Sequence, residues 1–169
     1  MKAVAVSGSP RSPSKSKALA EALLAELAAL GCETQMIDVA TLPAAPLLAR
    51  ETSPEIDAAI AAVGEAAIVI AATPTYRALY TGALKCFFDL MPQAHLAGKL
   101  CIGLQTGLAP QHSLSPEYGL RPLFASLEGL PYATLYATDP EFTDGLPNPD
   151  LTTRLKNLAS QASSAATNH

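Results

Sequence analysis

Two runs that are apolar at every position, Ala3-Val4-Ala5-Val6 and Ala66 to Ala72, most constrain what this chain can become. A strand without apolar–polar alternation has no side to turn to water, so both of its faces must be covered. Three further strand-like segments obey the same logic less strictly: Glu33 to Val39, Leu100 to Gln105 and Tyr132 to Thr138. The first strand spans Lys2 to Ser7, and the mixed Glu33–Val39 segment belongs nearer an edge.

Helical patterns separate these strands. Leu19, Leu23, Leu24, Leu27 and Leu30 form one stripe, and Gly31 is a natural stop. Ser53-Pro54 reads as an N-cap and first-turn proline ahead of Ile56, Ile60 and Val63. Leu84, Phe87, Phe88 and Met91 make a third stripe closed by Pro92, and Leu120, Leu123 and Leu127 mark a fourth helix from near Ser115 to near Glu128. Leu151, Leu155 and Leu158 predict a short closing helix. The small polar tail Ser160–His169 is expected to fray, and Asp139–Asp150 to be a long loop.

Alternating β and α elements with right-handed crossovers give an α/β doubly wound, five-stranded parallel sheet in three layers, one domain over residues 1–169. The order 2-1-3-4-5 places ligands outside the C-terminal ends of the first, third and fourth strands.

The turn after the first strand gives that rim its chemistry. Ser7-Gly8-Ser9-Pro10-Arg11-Ser12-Pro13-Ser14-Lys15-Ser16 opens a helix, where free N–H groups and the helix dipole favour an anion. Hydroxyls, Arg11 and Lys15 suit a phosphate monoester. The turn lacks both G-x-G-x-x-G and the P-loop pattern, which disfavours a dinucleotide pyrophosphate and ATP or GTP there. An ordinary polar loop with capping serines is the bland alternative. The third strand ends in Thr73-Pro74-Thr75-Tyr76-Arg77, and the fourth in Gln105-Thr106-Gly107-Leu108. A proline-fixed turn, an aromatic wall and a glycine that lets backbone approach a flat ring share one rim with the phosphate turn. Flavin mononucleotide needs that combination.

Other classes are disfavoured. A net charge of −4 argues against nucleic acid or an anionic membrane as main partner. Met1-Lys2 runs straight into a strand, and no apolar run reaches spanning length, so we expect a cytoplasmic protein without a membrane segment. Cys32, Cys86 and Cys101 read as buried thiols of a reducing compartment. With His95, His112 and His169 scattered, no metal site is expected. Only 15% of residues are charged, so much surface is hidden, in a two-sided sheet or in subunit contacts, and together with the apolar third and fourth helices this suggests a homo-oligomer.

The ordered motifs G-S-P-R-x-P-S-x-S, A-T-P-x-Y-x-x-x-Y-x-G-A-L-K, T-G and H-x-x-x-x-x-Y-x-L-x-P resemble the NAD(P)H-dependent FMN reductases of the flavodoxin-like superfamily, in particular the reductase of two-component alkanesulfonate monooxygenase systems. The resemblance spans nearly the whole chain. It implies FMN and NADPH or NADH as cofactors, a homodimer or homotetramer, and a partner monooxygenase. It implies that Ser9, Arg11, Ser14, Lys15 and Ser16 hold the FMN phosphate. Pro74, Thr75 and Tyr76, with Thr106, Gly107 and Leu108, would flank the isoalloxazine. The family often has a second glycine where Leu108 stands.

Pro122 lies inside the fourth helical pattern, so the carbonyl of Tyr118 loses its helical donor and the helix is expected to kink or widen there. A π-bulge is one relief, and a buried aromatic beside a kink is the structural alternative. By resemblance, Tyr118 lies in a π-helical insertion at a subunit interface. There it makes the flavin leave as substrate, a gating role rather than acid–base catalysis. His112 falls near the same rim by resemblance. Arg77 could steer nicotinamide phosphates or be a plain surface arginine. Two other readings stay open: a prosthetic-FMN quinone or azo reductase, and a flavodoxin-like electron carrier.

Overall fold

A computed structural model of the chain describes residues 1–167; Asn168 and His169 lie outside the described residues. Five parallel strands, β1 (Lys2–Ser7), β2 (Glu33–Asp38), β3 (Ile68–Pro74), β4 (Leu100–Gly107) and β5 (Leu130–Thr138), lie in the order β2-β1-β3-β4-β5. Register runs from Ala3↔Ile68 to Ser7↔Ala72 between β1 and β3. Between β3 and β4 it runs from Ile68↔Leu100 to Pro74↔Thr106, so the three strand ends finish side by side.

Helices α1 (Lys15–Ala29), α3 (Pro54–Gly64), α4 (Gly82–Asp89), α5 (Ser115–Ser126) and α6 (Pro149–Thr167) cover the sheet; a four-residue α2 (Ala44–Leu47) comes after β2. The period-two alternation within each fully apolar strand sorts its side chains into two cores. Ala3, Ala5, Ile68 and Ile70 join Leu19, Leu23 and Leu155 beneath α1 and α6. Val4, Val6, Val69 and Ala71 join Phe87, Leu120 and Phe124 beneath α4 and α5. Each such leucine or phenylalanine stabilises the fold by about 1.5–3 kcal/mol through area removed from water. On β2 only Ile37 is fully buried, as befits the edge position its mixed sequence implied.

Local chemistry sets the ends of α1. The Ser14 hydroxyl accepts from the Lys17 N–H at 3.3 Å, and Gly31, at φ +87°, takes the left-handed conformation that stops the helix. The expected cap at Ser53 is only positional, because its hydroxyl bonds the Glu55 carboxylate instead of the helix backbone.

Three expectations need correction. The tail thought to fray from Ser160 continues α6 to Thr167, with Ala159 and Ala162 fully buried against the first core; small residues here pack closely. The stretch Asp139–Asp150, expected to be only a loop, contains a small hairpin, β6 (Phe142–Thr143) and β7 (Leu146–Pro147). Its turn is Asp144-Gly145, both at positive φ (51° and 81°), the dipeptide that favours two-residue hairpins. Third, α5 stays α-helical through Pro122, without a π-turn. Tyr118 and Pro122 are both exposed, on the side of α5 away from the second core, where the helix is least constrained by packing.

Candidate functional site

The C-terminal ends of β1, β3 and β4 form one rim. After β1, Gly8 donates to the Ala72 carbonyl at 2.8 Å, which keeps the chain beside β3. The loop then satisfies itself locally. The Ser9 hydroxyl donates to the Arg11 carbonyl (3.0 Å) and accepts from the Arg11 N–H (3.2 Å). The Ser14 and Ser16 hydroxyls lie 3.0 Å apart, and Ser16 is fully buried. The first helical bond of α1 runs from Ala18 to Ser14, so the N–H groups of Lys15 and Ser16 precede it and point out of the helix end.

This corner fits a phosphate monoester. No acidic residue occupies the first turn of α1. Arg11 is exposed and has no ion-pair partner among the described residues. The Ser7 hydroxyl, at the end of β1, is buried and unpartnered. Lys15 is turned elsewhere: its ammonium sits 2.9 Å from Asp139 and 5.7 Å from the centroid of Phe142.

The neighbouring loops are joined across the fold. Thr81 is buried; its hydroxyl donates to the Gly8 carbonyl (2.5 Å) and accepts from the Leu84 N–H (3.1 Å), capping α4 while tying it to the β1 loop. The Thr75 N–H and hydroxyl both donate to the Thr106 carbonyl, at 2.7 and 2.9 Å. Gln105, fully buried in β4, reaches Thr75 Oγ1 (2.9 Å) and Ser115 Oγ (2.7 Å) through its amide nitrogen. Thus one amide joins the loop after β3 to the start of α5. Its Oε1 is buried without a partner.

At Gly107 a Cβ would fall 2.0 Å from the Tyr136 hydroxyl. The glycine therefore makes room for Tyr136, whose hydroxyl donates to the Ala109 carbonyl at 3.0 Å. Close approach to a flat ring was the expected reason; packing against β5 is the one visible here.

Beside this buried scaffold stands an apolar exposed rim. Tyr76 is 41% exposed, Leu108 81% and Tyr118 76%. Tyr118 is therefore not the buried aromatic that the structural alternative required. Pro74 and Thr75 are half-buried, and Thr106 is buried. Arg77 and Ala78, both at positive φ, form the tip of a tight turn closed by Tyr76 and Leu79, and Arg77 is exposed. Two adjacent left-handed non-glycine residues are costly, and the turn is held by its own bonds and by Leu79 packing on Gly119. His112 is exposed in a short 3-10 turn. Burial pushes the Cys101 thiol up to about 12, so it stays protonated and inert.

Sequence reasoning did not single out Thr81, Gln105, Tyr136 or Asp139. The Thr-Gly start of α4 was a readable capping signal. The other three act through partners far along the chain. Among the described residues, no group of three or more His, Cys, Asp or Glu could hold a metal, and no helix is long and apolar enough to cross a membrane.

With this geometry in place, comparison with known proteins is specific. A profile of the NADPH-dependent FMN reductases matches residues 1–144. NADH-dependent FMN reductase SfnF of Pseudomonas fluorescens is 37% identical over 150 residues, which cover 85% of this chain and 80% of that one. The FMN reductase (NADPH) of Escherichia coli is 33% identical over 158 residues, 92% of this chain and 83% of that one. Among solved structures, the apo form of the NADH:FMN oxidoreductase EmoB superposes with a TM-score of 0.89 at 34% identity, over 97% of this chain and 89% of that one.

Proposed function

The chain belongs to the NADPH-dependent FMN reductase family, and we propose that it releases the flavin it reduces to a partner monooxygenase. The reaction, NAD(P)H + FMN + H⁺ giving NAD(P)⁺ + FMNH₂, needs no protein nucleophile or general base. FMN supplies the hydride acceptor, while the protein binds, orients and lets go.

In this reading Ser9, Arg11, Ser14, Lys15 and Ser16 take the FMN phosphate at the positive end of α1. Pro74, Thr75 and Tyr76 form one wall for the isoalloxazine, and Thr106, Gly107 and Leu108 the other. Tyr118 gates flavin exchange from the exposed face of α5, and a second copy of the chain covers that face in a homodimer or homotetramer. The observation that carries this reading is the rim itself: free N–H groups at the start of α1 and the buried, unpartnered Ser7 hydroxyl lie at the strand ends beside the exposed Tyr76, Leu108 and Tyr118, which a flavin ring and a second copy of the chain can cover.

Purified protein is expected to be colourless, and FMN to saturate as a substrate when NADH or NADPH oxidation is monitored. A yellow protein that turns over quinone with ping-pong kinetics would overturn release. Light scattering tests the assembly, and a monomer at working concentration contradicts the interface role of Tyr118. The relatives' names divide between NADH and NADPH, so both nucleotides belong in the assay.

A further inference from the structure

Lys15 occupies an unfavourable place for a cation. It is the first residue of α1, at the positive end of the helix dipole, where an ammonium is repelled and an anion attracted. The chain compensates from a distance. Asp139, in the turn after β5, sits 2.9 Å from the Lys15 ammonium, and the Phe142 ring of the adjoining hairpin lies 5.7 Å from it.

That partner is held in place. The Glu141 carboxylate accepts from the Thr138 N–H (2.6 Å), the Thr138 hydroxyl (2.9 Å) and Arg154 of α6 (2.5 Å), and the Asn148 N–H donates to the Glu141 carbonyl (2.9 Å). The turn that carries Asp139 is therefore braced against α6. Between the hairpin and the start of α1 runs a groove of about 450 Å³, bordered by Ser12, Ser14, Lys15, Lys17, Asp144 and Leu146. Lys17, the other ammonium bordering it, is committed to Asp38 at 2.7 Å.

We infer that Asp139 is an internal competitor for the flavin phosphate: it occupies the Lys15 ammonium and thereby weakens the hold on FMN. This rests on the reading that the β1–α1 loop takes the phosphate. A phosphate at the end of α1 that recruits the Lys15 ammonium must share or displace the Asp139 contact, and the carboxylate then repels the incoming dianion. Exchange of FMN, as a substrate requires, is favoured. The effect acts on the phosphate alone, because Asp139 pairs with the phosphate loop rather than with either ring wall.

The test is equilibrium binding of FMN and of riboflavin, which lacks the phosphate, read by flavin fluorescence without nicotinamide. Wild-type protein is compared with Asp139→Asn, Asp139→Ser and Lys15→Met, each checked for an unchanged melting temperature. Both Asp139 variants are expected to tighten FMN by about two- to fivefold, in keeping with a partly exposed ion pair, and to leave riboflavin unchanged. Lys15→Met is expected to weaken FMN and to abolish the gain when combined with Asp139→Asn. If either Asp139 variant leaves the FMN-to-riboflavin ratio unchanged or lowers it while wild-type protein prefers FMN, the competition is wrong and Asp139 at most orients Lys15. If wild-type protein binds both flavins equally, the phosphate reading itself falls, and this inference with it.

Discussion

In the loop between β1 and α1 the serine hydroxyls bond residues two or three apart, as in Ser9 to Arg11 and Ser14 to Lys17. Around the ends of β3 and β4 side-chain hydrogen bonds join residues much farther apart: Thr81 to Gly8 across 73 positions, Thr75 to Thr106 across 31 and Gln105 to Thr75 across 30. The serines of the proposed phosphate corner are thus set locally, while its Gly8 and Lys15 are tied to Thr81 and Asp139 far along the chain. The proposed ring walls exist only because the sheet brings distant segments together. Damage to the first should stay local, and damage to the second should spread.

Gly107→Ala is the severest test of that contrast. Its Cβ would meet the Tyr136 hydroxyl at 2.0 Å, so stability should fall by about 2–3 kcal/mol, the overpacking range, as read by urea unfolding. Tyr136→Phe in the same chain should recover part of the loss; strict additivity would mean that the clash is not the cause. Thr81→Val should cost about 2 kcal/mol, because it removes a helix cap and strands the Gly8 carbonyl in one step. A cost below half that would show the long-range tie to be dispensable. On the local side, Ser14→Ala should cost only about 1 kcal/mol, a lost cap, with FMN affinity falling more than riboflavin affinity.

A smaller effect is pH-dependent. The hydrogen bond from Thr134 holds the Glu117 carboxyl below the usual carboxylate range, and Arg121, 2.6 Å away, adds to it. A depressed folded pKa contributes stability above the unfolded value of about 4.3, and that contribution is lost as pH falls through the folded value. Thr134→Val should therefore lose under about 1 kcal/mol at neutral pH, since Glu117 is partly exposed, and should match wild type in strong acid. A difference that persists at low pH would assign the loss to packing. Least for stability is Tyr118→Ala, which should stay within about 0.5 kcal/mol because the side chain is 76% exposed. Its expected effect is on function: more flavin should co-purify. Unchanged retention contradicts gating.

Much of this architecture is legible from short stretches. The unbroken apolar runs of β1 and β3 demand two-sided burial, the mixed β2 segment belongs at an edge, and Ser14 and Gly31 mark both ends of α1. The Asp144-Gly145 hairpin carried its own signal within a proline-rich stretch. The π-bulge expected at Tyr118 did not form; α5 carries Pro122 on its exposed face as plain α-helix. The stripe of Leu120, Leu123 and Leu127 already sets Tyr118 and Pro122 on the opposite, outer face of α5, so their exposure was legible in the helical spacing.

The sequence by itself determined the doubly wound sheet, the polar helix entry after β1 and the set of loops that meet on the rim. Periodicity, capping and turn chemistry act over a few residues and can be read in order. Only the tertiary structure decided that Thr81 anchors Gly8, that Tyr136 fills the space beside Gly107, and that Lys15 turns to Asp139, 124 positions along the chain (139 − 15). Those partners meet because β1, β3, β4 and β5 end at one level, and that coincidence is a property of strand order and register, not of any one segment.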